Sequence, residues 1–89
     1  MKAIVTVVGK DQVGIIASVC NHLAEFNINV LDISQTVMQD YFTMMMVVDM
    51  TSANKSLVEV SQAMEEAGNE KNLSIRVQRQ DIFEAMHRV

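Results

Sequence analysis

The chain has 89 residues and a net charge of −4, with one cysteine, eight methionines, and neither proline nor tryptophan. A chain this short buries only about two-thirds of its unfolded surface, and the lone Cys20 excludes an internal disulfide or a cysteine-rich zinc site as extra support. The 49% of apolar residues excludes disorder, and the acidic balance argues against nucleic acid, whose phosphates are held by Lys and Arg.

Lys2 to Val8 is short and β-branched, and reads as a strand closed by Gly9. Gly9 to Gly14 is a loop by composition. Between Val13 and Phe26, the residues Ile16, Val19, Cys20 and Leu23 fall at the spacing of one helical face. Asn27 suits the left-handed conformation that ends a helix. Ile28 to Gln39 is a second strand, with Asp32, Ser34 and Thr36 polar on one side and Leu31, Ile33 and Val37 apolar on the other. Asp40-Tyr41 is the expected turn into a third strand, Phe42 to Met50, which is apolar on both faces. Within that strand Met44, Met45 and Met46 alternate sides, so they cannot converge on one soft metal ion.

Ser56 and Glu59 have the spacing of a capping box. Leu57, Val60, Met64 and Ala67 give the face of the helix that follows. That helix ends at Gly68 or, as we prefer, tolerates it and stops at Asn72. Leu73 to Gln80 alternates as a last strand with Leu73, Ile75 and Val77 inward. In the tail, Ile82, Phe83, Met86 and Val89 recur at helical spacing, with Asp81 as the expected cap.

The order β-α-β-β-α-β is that of the α+β ferredoxin-like sandwich, here with a short C-terminal helix. The chain reads as one domain, with a core of about residues 2–80 and a tail at 81–89. Right-handed crossovers put both helices on one sheet face. The outer apolar residues of Phe42 to Met50 then need cover from the tail and from a second subunit, so a homodimer is expected. No apolar run approaches the ~20 residues that span a bilayer, and no signal-peptide core follows Met1-Lys2. A free thiol fits a reducing interior, so the cytoplasm is the expected compartment, with no membrane partner.

Because this fold hosts many unrelated activities, the first loop has to discriminate among them. A heavy-metal chaperone would carry Cys-x-x-Cys there, and an acylphosphatase would need a nearby arginine, whereas the first arginine is Arg76. Few aromatics are available for stacking RNA bases. No nucleophile with a base and no paired carboxylates are visible, so an enzyme is not expected. Cys20 reads as a core residue, and neither His22 nor His87 makes a metal pair with it.

The loop Asp11-Gln12-Val13-Gly14-Ile15, between a strand and a helix, resembles that of the ACT domain, a small regulatory module that senses amino acids and related metabolites. The fuller run Thr6 to Ile15, with Asp32-Ile33-Ser34-Gln35, is similar to stand-alone ACT proteins of the glycine-cleavage-repressor type. The closing Asp81 to Val89 resembles a group of uncharacterised single-domain members. The resemblance implies a ligand site in which Asp11 lies three residues before the helix-opening Gly14. It also implies that Asn29, at the start of the next strand, is supplied across a dimer interface. Two departures stand out: Val13 replaces a frequent proline, and Asn27 replaces a frequent glycine.

The chemistry of these residues suits that role. Gly14 has no Cβ to hold a ligand off the backbone. Amides of the first helical turn, roughly Val13 to Ile16, favour a carboxylate, and Lys10 adds positive potential. Asp11 accepts from an amino group, and Asn29 both donates and accepts. The expected ligand contacts are therefore Lys10, Asp11, Gln12, Val13, Gly14, Ile15 and Asn29. The same residue types also allow Asp11 to be only a helix cap, Gly14 to serve packing, and Asn29 to be a turn residue. The resulting expectation is a homodimeric regulatory protein that binds an amino acid or relative and acts through a separate partner protein, without cofactor or metal. The alternative is a protein-interaction module or regulatory subunit whose ligand loop is vestigial.

Overall fold

A computed structural model of the chain describes residues 1–86, the side chains of Phe83 and Met86 excepted. Its elements in chain order are β1 (Lys2–Lys10), α1 (Ile15–Glu25), β2 (Asn29–Met38), β3 (Tyr41–Asp49), α2 (Leu57–Glu70), β4 (Leu73–Arg79) and α3 (Gln80–Met86). The four strands form one sheet in the order β2-β3-β1-β4, with every neighbouring pair antiparallel. This is the ferredoxin-like arrangement that the order of elements predicts.

Alternation along the strands sends one set of side chains to a common layer. Val5 and Val7 of β1, Met44, Met46 and Val48 of β3, and Leu73, Ile75 and Val77 of β4 meet Val19 and Leu23 of α1 and Val60 and Met64 of α2 there. Met44 and Met46 are fully buried, whereas Met45 between them is exposed. The three methionines thus split between the two faces, as expected of a strand. Cys20 is partly buried against the core.

Helix ends follow their local chemistry. Glu59 donates its amide to the Ser56 hydroxyl, and the Ser56 amide donates back to the Glu59 carboxylate, closing the capping box. Asn27 and Asn72 have φ of 58° and 59°, so both asparagines sit in the left-handed region beyond a helix end. Gly68 lies inside α2, as in the longer of the two helices read from the sequence. A Cβ on it would come within 2.7 Å of the Leu73 carbonyl oxygen, so α2 and β4 approach closely there.

Several boundaries differ from the sequence reading. β1 continues through Gly9 and Lys10, because both pair with the start of β3. The β2–β3 turn is Gln39–Asp40 rather than Asp40-Tyr41, and Gln39 carries a φ of 56° that no turn-forming residue type advertises. α1 starts at Ile15, which rotates its buried face: Ile15 points into the core and Ile16 does not. α3 starts at Gln80, so Asp81 falls in its first turn, accepting from the Ile82 amide and pairing with Arg79. His87, read as no metal partner for Cys20, and Val89, the last apolar tail position, lie outside the described residues.

The uncovered apolar surface includes Met45 on the outer face of β3, as expected, and also extends beyond that strand. Val47 on β3 is half-buried, and α3 lies against β1 and β4. The larger exposure is on the edge strand β2, where Leu31, Ile33, Val37 and Met38 are all exposed. Ile33 and Val37 pair with the buried Met46 and Phe42 and so share the helix side of the sheet, but α1 does not reach far enough to cover them. A register shift between Val30 and Asp32 interrupts the alternation at Leu31.

Candidate functional site

The loop Asp11–Gly14 leaves the end of β1 and turns into α1. Gly14 is the N-cap of α1, with φ 86° and ψ 10°, and no side chain caps the helix. A glycine adopts that left-handed geometry without the Cβ penalty of other residues. The space where its Cβ would stand holds nothing within 4 Å. The first intrahelical bond runs from the Ser18 amide to the Gly14 carbonyl at 2.9 Å. Amides ahead of it, those of Ile15, Ile16 and Ala17, have no acceptor in the helix. The helix therefore offers Ile15 to Ala17, which starts two residues and ends one residue beyond the stretch expected from sequence.

The candidate residues divide by what they do in this loop. Asp11 does not cap α1, which removes the simplest structural explanation for it. Its amide donates to the Asp40 carbonyl at 2.8 Å, tying the loop to the β2–β3 turn. Gln12 reaches the other way, and its side-chain amide donates to the Lys71 carbonyl at 3.0 Å. Val13 is fully exposed, so its side chain neither packs nor stiffens the loop. Ile15 is 3% exposed and belongs to the core, so only its backbone amide is available to a ligand. Lys10 is exposed at the end of β1, opposite Tyr41.

Asn29 is not near this loop within one chain. It pairs with Asp49, whereas Lys10 pairs with Tyr41 at the other end of β3. The strand rise separates the two ends of β2 by roughly 30 Å. The topology thus brings Lys10, Asp11, Gln12, Val13, Gly14 and the Ile15 amide together and leaves Asn29 exposed at the far end of an edge strand.

One other feature was not singled out from the sequence. The Asp49 carboxylate accepts from both the hydroxyl and the amide of Thr51, and these bonds hold its pKa below the ordinary carboxylate value. The amide and hydroxyl of Ser56 lower that of Glu59 in the same way. Both carboxylates lie outside the Gly14 loop, the second as a helix cap. Among the described residues, no three His, Cys, Asp or Glu side chains cluster to hold a metal ion, and no helix is long and apolar enough to cross a membrane.

The chain was compared with known families, proteins and structures. A family model described as the ACT domain matches residues 2–78. A UPF0237 protein of Listeria innocua is 49% identical over 89 residues, which is the whole of both chains. A solved ACT domain protein from Streptococcus pneumoniae is 45% identical and superposes with a TM-score of 0.82, covering 94% of each chain. The regulatory subunit of aspartate kinase from Thermus thermophilus is 28% identical with a TM-score of 0.66, over 86% of this chain and 50% of that one.

Proposed function

The chain belongs to the ACT-domain family, and from that premise we propose that it is a regulatory protein that binds an amino acid or a related metabolite as a homodimer. The observation that carries this reading is the uncapped N-terminus of α1 at Gly14. The unfilled amides of Ile15 to Ala17 suit a carboxylate, aided by the helix dipole. Asp11, whose side chain does not cap the helix, is left to accept from the amino group. Lys10 adds positive potential. The regulatory role of the Thermus relative supports the same kind of output, delivered by this protein in the cytoplasm through a separate partner and without catalysis of its own.

The second subunit completes the site. β2 is an edge strand with exposed apolar side chains, the kind of edge that pairs unless it is blocked. Antiparallel pairing of two β2 strands about a two-fold axis sets the start of one beside the end of the other. Asn29 of the partner subunit then lies next to Met38, at the end of the sheet where Asp11 meets Asp40. The same pairing covers Leu31, Ile33 and Val37.

Thermal unfolding in the presence of each of the twenty amino acids tests the reading. At ~100 times Kd a true ligand stabilises by about 2.7 kcal/mol, which is several degrees for a domain of this size. Absence of a shift with every amino acid, and with nucleotides as further candidates, would overturn it.

A further inference from the structure

Among the described residues β4 is the second open edge of the sheet, since the order β2-β3-β1-β4 leaves no strand on its far side. Alternate residues of such a strand turn their amide and carbonyl outward. Along it runs a groove of about 610 Å³, floored by the strand from Leu73 to Gln78 and walled by Ser61, Glu65 and Asn69. Consecutive strand residues line it, so it follows the strand edge and does not sit on either sheet face. The three wall residues recur every fourth position and so form one stripe of α2.

Two observations make this a built slot. The wall is fixed against the floor, because α2 approaches β4 so closely at Gly68 that even a Cβ would collide with the Leu73 carbonyl. The edge also lacks the backbone guards of proline and bulge, its charges being the exposed Arg76 and Arg79. β4 contains neither proline nor lysine, and its register with β1 runs without a bulge from Ala3↔Arg79 to Gly9↔Leu73.

Charge chooses between occupants. Glu65 stands exposed on the helix wall and Arg76 is exposed on the opposite, open side of the strand. Among the described residues neither is in a salt bridge. Two copies joined edge to edge with their helices on one side would bring the two α2 walls, and with them two Glu65 carboxylates, to the same seam. A strand of different sequence can instead match both charges, with a basic residue on the helix side and an acidic residue on the open side. In an extended chain those two residues occupy adjacent positions.

We propose that the groove between β4 and α2 docks an extended peptide segment of a partner protein as a fifth strand, its basic side chain beside Glu65 and its neighbouring acidic side chain beside Arg76. Backbone hydrogen bonds to the β4 edge supply most of the affinity, and the two charges set orientation. This surface is separate from the Gly14 loop and stands whether or not an amino acid binds there.

The test is an NMR titration of the labelled protein with capped seven-residue peptides of alternating valine and threonine. One peptide carries lysine and glutamate at adjacent central positions, and its control carries two glutamines. The charged peptide shifts amides of Leu73 to Gln78 and of Ser61 to Asn69, and binds about threefold to tenfold tighter than the control, as one helix–strand and one cross-strand charge pair at exposed positions predict. Glu65→Lys, a change at an exposed helix position, removes that preference, and a peptide with glutamate in place of the lysine restores it. Shifts confined to β2, no shift at all, or an unchanged preference in Glu65→Lys would each overturn the proposal. So would protection of the Leu73 to Gln78 amides that rises with protein concentration without peptide, which identifies a second copy as the occupant.

Discussion

The backbone amide of Asp11 donates to the carbonyl of Asp40 at 2.8 Å, which fastens the loop that opens α1 to the tip of the β2–β3 hairpin. The same tip holds Gln39 at a φ of 56°. The loop therefore rests on a turn whose backbone is itself held in a disfavoured conformation.

Gln39→Gly tests that strain. Left-handed geometry costs a residue with a Cβ about 1–2 kcal/mol, and glycine gives back about 0.4–1 kcal/mol through the greater freedom of the unfolded chain. Relief wins, so the variant is expected to gain roughly 0.5–1 kcal/mol in urea unfolding. Equal or lower stability would mean that Gln39 is not strained.

Gly68→Ala pits helix propensity against packing. Alanine gains about 1 kcal/mol as a helix former, but its Cβ meets the Leu73 carbonyl oxygen at 2.7 Å and Ile75 Cγ1 at 2.9 Å. Backbone on the far side cannot swing away, and overpacking costs about 1–3 kcal/mol. A net loss of about 1 kcal/mol is expected in denaturant unfolding, whereas a gain would show that α2 slides freely on β4.

Acid stability follows from the lowered pKa values of Asp49 and Glu59. Each carboxyl has a lower pKa folded than unfolded, so below its ordinary value the unfolded chain takes up the proton first. Stability is full above the ordinary carboxylate range and falls as pH drops through the folded values. Glu59→Gln flattens the part of that fall due to the Ser56 cap. A thermal-midpoint profile between pH 6 and pH 2 that is the same in both proteins would remove Glu59 from the account.

A composite ligand site makes an unusual demand on mixtures. Asp11→Ala and Asn29→Ala should each abolish an amino-acid shift on their own. Subunits exchanged between the two variants form heterodimers with one site missing both groups and one site intact. Roughly half of the dimers in an equal mixture are of this kind, so binding should return at about a quarter of the wild-type stoichiometry by calorimetry. If the mixture stays inactive, the two residues do not share a site across subunits.

The edge strand gives an independent measure of association. Val37→Lys puts a charge on the exposed helix side of β2, a common natural block to edge pairing. Sedimentation should show it monomeric at concentrations where the proposed dimer of the parent chain forms, while its fold, read by circular dichroism, is unchanged.

Much of this architecture was legible where a residue type has one strong local preference. The Ser56–Glu59 box and the turns at Asn27 and Asn72 are of that kind, because short polar side chains satisfy or tolerate the geometry required. Order and pairing followed from periodicity. What escaped depended on phase and reach. The start of α1 is set by Gly14, which turned Ile15 inward where the periodicity alone favoured Ile16. The exposure of Ile33 and Val37 depends on how far α1 extends over the sheet, which no pattern within β2 encodes. The register shift beside Leu31 carries no glycine or other breaker to announce it. The candidate loop was legible as a group, but the engagement of Gln12 with Lys71 was not, since their separation in sequence hides it.

That last bond has a consequence for how the molecule could signal. Through Asp11 the loop holds the hairpin that borders β2, and through Gln12 it holds the corner where α2 gives way to β4. It is a crossbar between the two outer strands of the sheet, the one proposed to take a second copy and the one proposed to take a foreign strand. A ligand that pulls Gln12 off Lys71 would loosen the β4 margin, and by thermodynamic reciprocity a strand docked there would change the ligand's affinity by the same factor.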